Sequence, residues 1–381
     1  MVIYFLLVVY YILIYQFEDK IKNDNLNRNI LCIILVLPMF ILVAFRSINI
    51  GIDTIVYYKA YQTIGYADGI KTVLFSNSFM EKGYLIITYI FSRLGFGYYT
   101  FQVIEALFIY TSFGAMIRKY SSNMSMSCLI FVTLQRFFGT MNQARMWIAA
   151  AILFYSINLI QERKFIKFLV LVAIASSFHK SAMIFIIVYF IVKIPENYKK
   201  WVSLGLGALV IEILGISFFE RLTSTIGMYE NYINTDRFSS NIKISILISL
   251  ITVMGFFVIA IRTKMWASLS FEKLYKRIHV LSKYNFMNTK KQMTVSRILF
   301  NLLLLSICFN IIGLKSSIFD RVTVYFSVFA VVTIPDLIST VINNFNRNFI
   351  RFCVILYFVF MFIVALLYGG DGYGVIPYEF L

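Results

Sequence analysis

The chain has 381 residues, of which 60% are hydrophobic and only 14% charged. A soluble domain carries roughly 25% charged residues and about 45–50% apolar ones. This composition therefore excludes a soluble enzyme and leaves a polytopic membrane protein, all-α and multi-pass. The 35 Lys and Arg against 18 Asp and Glu give a net charge of +17. The basic residues lie mainly between apolar runs, where they set membrane orientation, so nucleic acid is not the expected partner.

Twelve apolar stretches can cross a hydrocarbon layer about 30 Å thick. They lie at about 1–16, 29–45, 97–117, 124–140, 143–160, 165–179, 180–193, 200–219, 242–261, 297–313, 321–340 and 350–368. The first has no basic flank before it and no small-residue cleavage site, so it is expected to be a retained helix. Residues 84–94 are apolar but too short to span, and are expected to lie at the outer interface. Residues 165–193 are expected to form a hairpin that turns at His179-Lys180. Cys32, Cys128, Cys308 and Cys353 all fall inside apolar runs and behave as small hydrophobes. With two histidines and no Cys-x-x-Cys pair, no metal site and no cofactor are called for.

The connectors fix the orientation. Residues 17–28, 118–123, 161–164, 194–199, 262–297 and 341–349, with their flanks, hold 22 of the 35 basic residues. The positive-inside rule places them in the cytoplasm and both termini outside. No separate soluble domain is visible. The chain reads as a single membrane-embedded domain with outer loops 46–83 and 220–241 and a basic cytoplasmic loop 262–296, which also suits anionic lipid headgroups.

Ionisable residues near the membrane collect on one side. Arg46 ends the second span, followed by Asp53 and Thr54. Glu81, Gly83 and Tyr84 close the same outer loop. Arg136, Asn142 and Arg145 lie between spans four and five. His179 sits at the next outer turn, and Asp320 and Arg321 open span eleven. These residues can converge on one outward-facing cavity. Four arginines and a histidine suit a phosphate or pyrophosphate with a lipid tail, because the planar guanidinium binds phosphate oxygens bidentately and keeps its charge at low dielectric. Histidine or a carboxylate can accept a proton from an attacking hydroxyl. No Asp-x-Asp cluster accompanies them, so a divalent metal is not demanded. Each residue also has a structural alternative. The arginines can snorkel to headgroups. Asp53 can cap a helix or pair with Arg46. His179 can be a turn residue. Glu105 and Glu212, inside spans three and eight, are expected to pair locally within the bundle.

Several short strings occur in a fixed order: Arg46…Gly51-x-Asp53-Thr54-x-x-Tyr57, Glu81-x-Gly83-Tyr84, Met141-Asn142-x-x-Arg145, Phe178-His179-Lys180-Ser181-Ala182, Arg321-x-x-x-Tyr325-Phe326 and Pro377-Tyr378. From about residue 40 to the C-terminus the chain resembles the EpsG family of Wzy-type polymerases in bacterial exopolysaccharide, capsule and O-antigen assembly. It departs from the family's frequent Gly-Thr-Asp-Thr at Ile52, and from its frequent Arg-Gln at Met146.

The resemblance implies a metal-independent glycosyltransferase similar to the multi-span GT-C-like enzymes, in the bacterial cytoplasmic membrane with its site facing outward. It implies undecaprenyl-pyrophosphate-linked oligosaccharides as donor and acceptor, with chain-length regulator and flippase proteins as partners. In this reading Arg145 and Arg321 hold the donor pyrophosphate, and Arg46 and Arg136 assist. Asn142 and Tyr84 complete the binding set. His179 is the expected base, with Asp53 or Glu81 orienting it or replacing it. A lipid-linked polysaccharide ligase and a flippase or transporter remain the alternatives.

Overall fold

Hydrophobic stretches with few helix breakers can satisfy their backbone polar groups in a membrane only by forming helices or closed barrels. In the computed structural model they form helices. The structure describes residues 1–18, 25–76, 80–194, 198–214, 286–312, 318–339, 341, 343–368 and 372–381. Among these, the helices are α1 (Val2–Glu18), α2 (Asn25–Ala44), α3 (Thr54–Gly65), α4 (Ile70–Leu74), α5 (Lys82–Arg93), α6 (Tyr98–Tyr120) and α7 (Met124–Thr133). They continue with α8 (Arg136–Asn142), α9 (Ala144–Leu153), α10 (Ser156–Gln161), α11 (Phe165–Phe178), a 3₁₀ segment (Lys180–Ile186) and α12 (Ile187–Ile191). The last are α13 (Tyr198–Leu214), α14 (Phe286–Ile312), α15 (Ile318–Ser327), α16 (Ala330–Ser339) and α17 (Asn344–Tyr368).

Six helical stretches among the described residues are long and apolar enough to cross a membrane: Asn25–Ala44, Tyr98–Tyr120, Ala144–Gln161, Val295–Ile312, Arg321–Ser339 and Asn344–Tyr368. Each coincides with an expected span. Val2–Glu18, Met124–Thr133, Phe165–Phe178 and Lys180–Ile191 are apolar but shorter. The expected span 242–261 and loop 220–241 lie outside the described residues, as do residues 262–285 of the expected loop 262–296, whose last part, 286–296, belongs to α14. The described helices therefore support six crossings by length, against an expectation of twelve.

One of the unmatched stretches is divided by a break that hydropathy does not register. The stretch 124–140 divides where Gln135 takes a left-handed backbone, φ 57°. The chain reverses at His179 as expected, since Phe165 lies 4.8 Å from Tyr189 between ring centres. Its first arm, 14 residues, is only about 21 Å long. Loop 46–83 contains α3 and α4, which its mixed tyrosine and lysine pattern hides.

α7 is buried on every side and forms the centre of the bundle. Its first N–H groups are capped by Glu18, whose carboxylate accepts from Met124 N at 2.7 Å and Ser125 N at 2.9 Å. That answers the unpaired donors and positive end of the helix. α2 lies along α6, where Gly114 leaves room for Cys32, whose thiol donates to the Gly114 carbonyl at 3.3 Å. The outer faces of α2 and α17 show Ile33, Leu37, Phe352, Leu356 and Phe360, a surface suited to lipid tails.

Candidate functional site

The local sequence explains how distant residues meet. Gly83 opens α5 directly against the end of α11. A Cβ there would lie 2.7 Å from the Ser177 carbonyl oxygen, so glycine permits this approach. The contact puts Glu81, the residue before α5, beside the turn at His179. One carboxylate then meets three groups. Oε1 accepts from the Lys180 backbone N at 3.1 Å and stands 3.2 Å from His179 Nδ1. Oε2 accepts from Arg145 Nη1 in the first turn of α9. The Arg145, Glu81 and His179 side chains are 11%, 9% and 11% exposed, so the ion pair is largely shielded from water.

Burial alone would push the Glu81 carboxyl up. The His179 contact and the Arg145 charge outweigh it and hold Glu81 at about 2. Burial draws His179 down, opposed by Glu81 and reinforced by the charges of Arg145 and Arg321, and the net effect lies below its usual 6.5. His179 in the turn is therefore neutral at pH 7. With Nδ1–H turned toward Glu81, Nε2 carries the lone pair. Nδ1 faces Glu81 across the 3.2 Å contact, and neither ring nitrogen makes a hydrogen bond among the described residues.

Arg321 reaches this group from α15. That helix packs on the 3₁₀ segment through Ser181 Oγ and the Tyr325 hydroxyl, 3.2 Å apart, and through stacked Phe185 and Phe326. Its charge acts on His179.

The Gly51–Thr54 string forms a wedge at the end of α8. Asn142 Oδ1 accepts the Asp53 N–H at 2.7 Å, and the Thr54 hydroxyl donates to the Met141 carbonyl at 3.1 Å. The C-terminal segment closes the other side, where Gly51 N donates to Gly374 O at 2.7 Å. Gly51 has φ +92°, and a Cβ there would sit 2.6 Å from the Met141 carbonyl oxygen. Gly51→Ala is expected to lower stability by about 1–3 kcal/mol from backbone strain alone. A melting curve in detergent checks this, and an unchanged midpoint would contradict the wedge.

The wedge launches α3 so that the Tyr57 ring lies beside Arg145, 5.6 Å from ring centre to guanidinium carbon. Asp53 stands at the start of α3 with no side-chain cap hydrogen bond. Tyr84 is buried at 1% exposure behind Tyr57.

The structure thus brings Glu81, Arg145 and His179 into contact, with Arg321 at their edge. Asn142 and Asp53 support the wall beside them. Arg46 has a different setting. It is 2% exposed, its Nη1 donates to the Val43 carbonyl, and its backbone pairs with Phe380 in the C-terminal segment. Arg136 opens α8 and is half-buried. No group of three metal-ligating His, Cys, Asp or Glu side chains occurs among the described residues.

A family model described as the EpsG family matches residues 29–380, nearly the whole chain. The chain belongs to the EpsG family. EpsG proteins are Wzy-like polysaccharide polymerases, and membership implies a glycosyltransferase-like membrane polymerase. No curated protein and no solved structure matches the chain. Within this EpsG chain, sequence reasoning left Tyr57 out of the candidate site. The available signal was its place three residues after Thr54 in one string, which puts both on the same face of α3.

Proposed function

We propose that this EpsG protein joins undecaprenyl-pyrophosphate-linked oligosaccharide repeat units on the outer face of the bacterial cytoplasmic membrane. The observation that carries the reading is the single Glu81 carboxylate, which holds an arginine and a neutral histidine side by side. Arg145 and Arg321 would bind the donor pyrophosphate. A guanidinium has five N–H donors, so one side chain can serve a carboxylate and a phosphate at once. With Glu81 ionised and His179 neutral, Arg145 and Arg321 leave the group one positive charge in excess, which favours an anionic headgroup.

The acceptor sugar hydroxyl attacks the donor anomeric carbon. The bond from that carbon to the pyrophosphate oxygen breaks, and undecaprenyl pyrophosphate leaves with the bonding electrons. The hydroxyl proton passes to His179 Nε2. The arginines stabilise negative charge as it develops on the leaving group. This chemistry needs no metal or cofactor, and the fold would be a GT-C-like bundle of about twelve spans. The orientation rests on the positive-inside distribution of Lys and Arg. Chain-length regulators and flippases would act alongside it.

The test is reconstitution of the purified protein with a lipid-pyrophosphate repeat unit from the host polysaccharide, in the presence of EDTA. A ladder of products on a gel is expected, with the same rate as without EDTA. Binding of the lipid with no ladder would favour a ligase or a flippase. A ladder that needs added divalent metal would refute the arginine-only mechanism.

A further inference from the structure

Behind Arg145 a column of polar groups runs to α6. The Arg145 guanidinium lies over the Tyr57 ring, 5.6 Å from its centre, and its charge acts on the Tyr57 hydroxyl. The Tyr57 ring stands 5.7 Å from that of Tyr84, tilted by 54°. The Tyr84 hydroxyl and the Glu105 carboxylate act on each other electrostatically. Glu105 is 6% exposed, two turns into a helix long enough to span the membrane, where an ionisable side chain is costly and usually marks function. Its Oε1 has no hydrogen-bond partner among the described residues. Sequence reasoning expected Glu105 to pair locally within the bundle and named no partner; Tyr84 is a neighbour that acts on its charge.

Packing alone does not account for these groups. Phenylalanine would fill the space of either tyrosine, and leucine or methionine that of the glutamate. The hydroxyls and the carboxylate make a row that ends on the guanidinium. Tyr57 touches Arg145 directly. Glu105 fixes Tyr84, and the Tyr57 ring leans on Tyr84. On its other side Arg145 is held by Glu81, so the guanidinium is fixed from two directions.

We propose that Tyr57, Tyr84 and Glu105 are positioning residues that fix the Arg145 guanidinium for a pyrophosphate headgroup, an inference that rests on the role given to Arg145 above. None of the three touches the substrate. Each acts by narrowing the orientations open to Arg145, so that less freedom is lost when the anion binds.

The experiment uses the full chain in lipid nanodiscs and undecaprenyl pyrophosphate as probe, with affinity measured by titration. Tyr57→Phe, which keeps the ring and removes the hydroxyl beside the guanidinium, is expected to weaken binding roughly tenfold, the size of one polar contact to a charged group. Glu105→Gln is expected to weaken it by a smaller factor. In an Arg145→Ala background both effects should vanish, because the group they position is gone. A purely structural role would lower affinity in both backgrounds alike. If Glu105→Gln does not fold, the Tyr57→Phe cycle decides. Wild-type affinity in Tyr57→Phe, or the same tenfold loss in the Arg145→Ala background, would overturn the column while leaving Arg145 in place. Absence of binding by the wild type would overturn both the column and the reading it rests on.

Discussion

Arg145→Ala is expected to abolish chain extension, lowering the polymerisation rate by at least 10²-fold, while the protein still inserts in the membrane. Removing one well-placed donor to a developing oxyanion costs about 10²–10³ in rate in other enzymes. Here the lost group is a full charge in a site largely closed to water, so the effect belongs at the upper end. Arg145→Lys should not restore the rate. The ammonium is a point charge and cannot pair with Glu81, lie flat over the Tyr57 ring and hold a pyrophosphate with one rigid fork. Truncation also strips Glu81 of its strongest cation, and breaking a buried ion pair typically costs about 3–5 kcal/mol. Rate must therefore be measured beside a melting curve. Arg145→Lys serves as the control, because it keeps the charge beside Glu81 and so most of the stability. Loss of the ladder with a retained melting midpoint supports the assignment. A wild-type ladder in either variant would remove Arg145 from the mechanism.

The long spans were legible because a bilayer demands a local property, about 20 consecutive apolar residues. All six helical stretches of spanning length coincide with expected spans. Breaks within apolar runs were not legible, because a left-handed Gln135 depends on packing around it and leaves no hydropathy signal. Glu81, Arg145 and His179 could be named together from the sequence, but their geometry could not. Glu81 and His179 are 98 positions apart in the sequence, and their contact depends on Gly83 pressing against Ser177. Arg46 shows the opposite case. Its place at a span end marked it for the cavity, yet the C-terminal segment folds back over it. That return is fixed by hydrogen bonds from Ser47 N to Glu379 O and from the Tyr378 hydroxyl to Leu42 O, pairings that no local pattern announces.

Glu81→Gln separates the two functions of the carboxylate. The substitution keeps the shape and removes the charge, so Arg145 and His179 lose their common anchor. The rate is expected to fall about 10²-fold, in the range of a lost orienting group in general base catalysis. The pH profile gives a sharper reading. In the wild type the rate should fall on the acid side as His179 Nε2 becomes protonated, with the midpoint below 6.5 because burial disfavours the imidazolium. Glu81 opposes that shift. Its removal should therefore move the acid limb to still lower pH, against the lower overall rate. Stability carries its own sign. A carboxyl held at about 2 against an ordinary 4.5 stabilises the fold above the unfolded value, on the order of 3 kcal/mol. That contribution fades as the pH falls from about 4.5 toward 2, and Glu81→Gln should lack it throughout. An acid limb that stays fixed or moves upward in Glu81→Gln would mean that His179 is not the group whose protonation stops the reaction.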